Sequence, residues 1–67
     1  MKFEEFERTI RENGFGIAAM NHYSINGKDY TYCVVLNSKK GVAFKGEAQT
    51  SEEAFDIIIE KIKQNIQ

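Results

Sequence analysis

Along residues 2–12 the apolar positions Phe3, Phe6 and Ile10 recur at i, i+3 and i+7, with Glu4, Glu5, Glu7, Arg8, Arg11 and Glu12 outside that stripe. This spacing predicts an amphipathic helix. Asn13-Gly14 follows, residues that tolerate the left-handed conformation that commonly ends a helix. Residues 15–25 and 28–36 read as a hairpin around Asn26-Gly27, the preferred pair for a two-residue type I′ turn. The turn sets Ile25 opposite Lys28, Tyr23 opposite Tyr30, Asn21 opposite Tyr32, Ala19 opposite Val34, and Ile17 opposite Leu36. Opposed residues share a sheet face. Phe15, Ile17, Ala19, Tyr23, Tyr30, Tyr32, Val34 and Leu36 are therefore expected on one side, with Ala18, Met20, His22, Thr31, Cys33 and Val35 on the other.

A third strand, 42–48, is expected after the loop 37–41, with Val42 facing Leu36 and Phe44 facing Val34, so that Ala43, Lys45 and Glu47 join the Met20 side. The last helix is expected over 51–66, with Ser51 as N-cap and Glu52 and Glu53 in the first turn, where the helix dipole favours acids. Ala54, Phe55, Ile58, Ile59, Ile62 and Ile66 form its apolar face, and Ile57 falls outside it. The whole reads as one α+β domain over residues 1–67, in the order α-β-β-β-α. It is expected to form a three-stranded antiparallel meander with two helices packed on one face. If the helices cover the bulky side, the side with Ala18, Met20, Cys33, Val35 and Ala43 is left open, rimmed by His22, Thr31, Lys45 and Glu47.

Composition narrows the function. A 67-residue chain buries a small core and has a thin stability margin. Nine Lys and Arg against ten Asp and Glu leave a formal charge of −1, which excludes binding of nucleic acid by bulk basicity and mimicry of DNA by bulk acidity. One Cys excludes an internal disulfide, and one Cys with one His excludes a structural zinc site, so neither metal nor cofactor is expected. No apolar run approaches a membrane span, and Met1-Lys2-Phe3-Glu4-Glu5 lacks the apolar stretch of a signal peptide, so a soluble, cytoplasmic domain is expected.

Two stretches carry a resemblance. Residues 46–54, Gly-Glu-Ala-Gln-Thr-Ser-Glu-Glu-Ala, are similar to a strand end and helix start of the double-stranded RNA-binding domain. Asn26-Gly27-Lys28-Asp29-Tyr30, ahead of Tyr32-Cys33-Val34-Val35, resembles that family's glycine-containing loop. The resemblance implies the α-β-β-β-α topology over the whole chain. It also implies lysines opening the second helix to bridge phosphates, and an inserted loop between the first strands. Here Ser51, Glu52 and Glu53 occupy the helix start and the loop is a two-residue turn, so the family's basic contacts are missing. A nucleic-acid contact would have to use Lys28, Lys39, Lys40 and Lys45. These make residues 13–50 net positive against Asp29 and Glu47.

His22 is the one imidazole, and its unperturbed pKa lies near neutrality. Small mRNA-cleaving toxins of toxin–antitoxin pairs resemble this topology and use a strand histidine as general acid or base. Asn21-His22-Tyr23 lacks their small preceding residue, and no carboxylate or lysine lies beside His22 in the expected register. Cys33 would need a cation to become a nucleophile, and the expected register offers Lys45. Tyr23, Tyr30 and Tyr32 would stack on bases if exposed, but the same register places them under the helices. No phosphate-binding glycine loop, paired catalytic carboxylates or Ser-His-Asp set is present.

The reading that remains is a non-enzymatic protein-binding module, of the size of accessory or inhibitory proteins of bacteria and phages. It is expected to act through the open face (Met20, His22, Cys33, Val35, Lys45), through Ile57 or the last strand's edge, or by self-association. The alternatives are a degenerate relative of the RNA-binding domain and, behind it, an RNA-cleaving enzyme relying on His22.

Overall fold

The computed structural model describes residues 1–65, which form α1 (Phe3–Glu12), β1 (Gly16–Ile25), β2 (Lys28–Asn37), β3 (Val42–Ala48) and α2 (Ser51–Asn65). The strands make one antiparallel sheet in the order β1-β2-β3. Both helices lie on one face of it, an α+β fold. Ile66, expected at the end of the last apolar stripe, lies outside the described residues.

Local chemistry explains where the elements stop. Asn13 ends α1, and the Gly14 N–H donates to the Arg11 carbonyl (3.0 Å) while the Phe15 N–H donates to the Ile10 carbonyl (2.8 Å). That pair of bonds is a Schellman motif, and it needs a left-handed residue, which Gly14 supplies at φ +87°. Asn26 (φ 53°) and Gly27 (φ 78°) make the expected type I′ turn. The α2 cap is Thr50, one residue before the expected Ser51. Its hydroxyl accepts the Glu53 N–H (3.2 Å), the N-cap bond, and donates to the Glu53 carboxylate (2.9 Å).

The hairpin pairs as expected from Ile25–Lys28 to Ala19–Val34, and then departs. A β-bulge at Ala18 puts Ile17 opposite Val35 instead of Leu36. The third strand is shifted by one residue from expectation: Val42 faces Asn37 and Phe44 faces Val35. A shift of one residue exchanges the two faces of a strand. Together these two irregularities place Phe15, Ile17, Val42 and Phe44 on the same side as Cys33 and Val35, with the tyrosines on the other.

The helices cover that first side, so the expected assignment of faces is inverted. The core joins Phe6, Ile10, Phe15, Phe55, Ile58, Ile59 and Ile62 to Cys33 and Val35. Most of the buried bulk comes from the helices, and the centre of the sheet meets them with the small side chains of Cys33 and Val35, around which Ile17, Met20, Val42 and Phe44 pack half-buried. Gly46, paired with Cys33, shows why: a Cβ there would meet the Ala54 carbonyl oxygen and would lie 2.9 Å from Ile58 Cγ1. A mid-strand glycine permits such close backbone approach. Gly46→Ala should therefore destabilise the domain by about 2 kcal/mol, seen as a lower urea midpoint at unchanged slope, because α2 must move off the sheet.

Candidate functional site

The uncovered face of the sheet presents Ala19, Asn21 and Tyr23 from β1, Tyr30, Tyr32, Val34 and Leu36 from β2, and Ala43, Lys45 and Glu47 from β3. Alternation along each strand places them there. The rings of Tyr23 and Tyr30 stack at 5.4 Å between centroids and 19° between planes. The Tyr23 hydroxyl reaches across β2 and donates to the Glu47 carboxylate. Three strands are thus tied at one end of the face by an aromatic pair and a charge-assisted hydrogen bond. Towards the other end, Val34 is half-buried and Leu36 is 41% exposed. The result is an apolar strip with a polar end.

Most of the residues expected to make a binding face are elsewhere. Cys33 and Val35 are 0% exposed and belong to the core, so neither presents a surface. Met20 packs half-buried against the same core. Lys45 stands on the uncovered face opposite Val34, together with Ala43 and Glu47 of the same strand, which were expected beside it. Ile57 is 37% exposed on α2, outside its buried stripe as expected. It shares that side of the helix with Lys61, whose ammonium donates to the Lys45 carbonyl at 2.6 Å, along the outer edge of β3. Ile57 therefore belongs to a separate surface from the tyrosines.

His22 is exposed on the helix side, where the hairpin extends past the helices. Its Nδ1 lies 3.0 Å from the Thr31 hydroxyl, which lies 3.4 Å from the Ser51 hydroxyl. Gln49 and Thr50 close an open polar cleft of about 400 Å³ there. The imidazole is thus partnered by a neutral hydroxyl, and among the described residues no charged group is bonded to it. The lysines do not converge. Lys28 opens β2 beside the hairpin turn, whereas Lys39 and Lys40 follow its far end. Ten residues of strand, roughly 30 Å, separate them.

Lys45 does not approach Cys33 on the opposite face, and burial pushes the Cys33 thiol above its ordinary value. That removes the expected activation of the thiol. Among the described residues no group of three or more His, Cys, Asp or Glu side chains could hold a metal ion, and no helix is long and apolar enough to cross a membrane.

The missed signals are two. Gly46 marks the side of the sheet that a helix must approach, and the adjacent small residues Ala18-Ala19 are where the strand changes phase. The Tyr23 hydroxyl carries a measurable consequence of the observed face. Its hydrogen bond to Glu47, followed by desolvation, raises its pKa from 10.0 to about 12. Because the folded value is the higher, this bond stabilises the fold below about pH 10 and the contribution is lost as pH rises through about 12. Glu47→Gln should return Tyr23 towards 10, read from its ring resonances in an NMR pH titration. Compared with known proteins, the chain matches no family model, and neither a curated protein nor a solved structure shows significant similarity to it.

Proposed function

We propose that this domain is a non-enzymatic module that binds another protein through the uncovered face of its sheet. The observation that carries this reading is the run of Tyr30, Tyr32, Val34 and Leu36 along β2, flanked by Tyr23, on a face that neither helix covers. Tyrosine gives a binding surface large contact area at low entropic cost and keeps a polar handle for the solvated state. Exposed apolar strips with polar ends mark association surfaces. The charge of the face favours protein over nucleic acid, since Lys45 lies beside Glu47 on β3.

A second reading has one observation in its favour. Tyrosines on an open sheet, with Lys28 and Lys45 nearby, form the kind of platform on which unpaired bases stack. The element order is also that of the double-stranded RNA-binding domain, and a distant kinship would account for it. Against that family's own ligand stand the acidic start of α2 and the separation of Lys28 from Lys39 and Lys40.

Leu36→Glu separates the two readings. The residue is already exposed, so the variant should unfold within a few degrees of the native protein. Immobilised native protein should retain a partner from extracts of its source cells, and the variant should lose it at least about tenfold, since a buried unpaired charge costs more than 1.4 kcal/mol. Equal retention by the variant would refute the protein-binding reading. Movement of the Tyr30 and Tyr32 ring resonances with a single-stranded oligonucleotide at low salt would establish the second reading instead.

A further inference from the structure

The two free edges of the sheet differ in a way that the binding face does not explain. Strand β3 carries Lys45 and Glu47, and Lys61 reaches down from α2 to occupy the Lys45 carbonyl. Such charges and cover are how edge strands avoid pairing with other chains. Strand β1 has none of these. Its ten residues, Gly16–Ile25, include no Lys, Arg, Asp, Glu or Pro, and not one of them is buried.

The hydrogen-bonding phase of β1 follows from the hairpin. Residues flanking a two-residue turn exchange both backbone bonds, so Ile25, Tyr23 and Asn21 point their N–H and C=O at β2. Met20, His22 and Ser24 therefore point theirs outward. The same alternation carried through β2 turns the Lys45 carbonyl outward on β3, where Lys61 is found bonded to it. Among the described residues no side chain bonds the outward backbone groups of β1 in this way. The bulge at Ala18 ends the usable edge, which leaves Ala19–Ile25 free to pair.

We propose that this edge pairs with β1 of a second copy, antiparallel about a two-fold axis at His22, giving one continuous six-stranded sheet. Self-pairing of a strand without formal charge puts no like charges opposite each other. The two-fold at His22 also matches sizes: Ile25, 55% exposed in the single chain, lies opposite Ala19 of the second copy, Met20 opposite Ser24, and Tyr23 opposite Asn21. Each pair shares a face, so the uncovered tyrosine strips of the two copies become one surface. The contact is independent of what that surface binds. Its strip is roughly 24 Å long, which places it at the small end of specific interfaces and makes it weak, with a dissociation constant on the order of 100 µM.

Sedimentation equilibrium of the full chain from about 10 µM to 1 mM, a range chosen to bracket that affinity, tests this directly. His22→Lys and His22→Glu should each weaken the dimer at least tenfold, because like charges then meet on the axis, while an equal mixture of the two should associate again. Ser24→Lys, opposite Met20, should weaken it as well and stands in if a His22 variant loses its native amide spectrum. Leu36→Glu should leave it unchanged. A native protein that stays monomeric to 1 mM, a mixture that fails to associate, or a dimer abolished by Leu36→Glu but not by His22→Lys would overturn the proposal.

Discussion

The approach of α2 to the sheet at Gly46 governs the rest of this small domain. A side chain at that point would collide with the backbone of Ala54, itself fully buried, so helix and strand touch through their smallest residues. Once seated there, α2 lays Phe55, Ile58, Ile59 and Ile62 over Cys33 and Val35. The Phe6 ring then stacks on Phe55 at 4.2 Å and brings α1 in beside it. Each large side chain so buried contributes about 1.5–3 kcal/mol, which matters in a chain with so little interior. The Gly46 side is covered, and the residues of opposite phase lie on the face that no helix covers.

That constraint explains which parts of the structure were legible in the sequence. The helices were, because Phe6–Ile10 and Ala54–Ile62 repeat with helical period and end in residues that cap. The hairpin was, because Asn26-Gly27 admits few alternatives and fixes register near the turn. The faces were not, because reading bulk as burial assumes that the sheet supplies the large side chains of the core. Here the helices supply most of them; the fully buried apolar side chains of the sheet are the small Cys33 and Val35, beside Gly46, while Ile17, Met20, Val42 and Phe44 pack half-buried around them. The bulge at Ala18 compounded the error by placing Phe15 and Ile17, both core-side, in apparent phase with the tyrosines. Of the expected contact residues, Lys45 stayed on the open face for a reason unrelated to the expected one: its strand shifted by one residue while the covered face also changed.

The inversion alters what the surface offers. A face of Met20, Cys33 and Val35 would have been small, soft and nearly featureless. The face that is open carries three tyrosines, two of them stacked, and a leucine, with Val34 and Leu36 on the part of the sheet that the core backs. Its aromatic groups are positioned before any partner arrives, which lowers the ordering cost of binding. The polar residues His22, Thr31 and Ser51 meanwhile sit at the seam where α2 begins, joined to one another by hydroxyl contacts. Their arrangement reads as the satisfaction of a strand end that outruns its helices, with Thr31 buried and fully partnered.

Side-chain accessibility along β2, residue by residue, tests this placement most directly. With a soluble paramagnetic chelate in solution, the side-chain protons of Tyr30, Tyr32, Val34 and Leu36 should broaden strongly, and those of Cys33 and Val35 should stay sharp. The opposite alternation, with Cys33 and Val35 broadened and the tyrosines protected, would contradict the assignment of the covered face and with it the binding surface drawn from it.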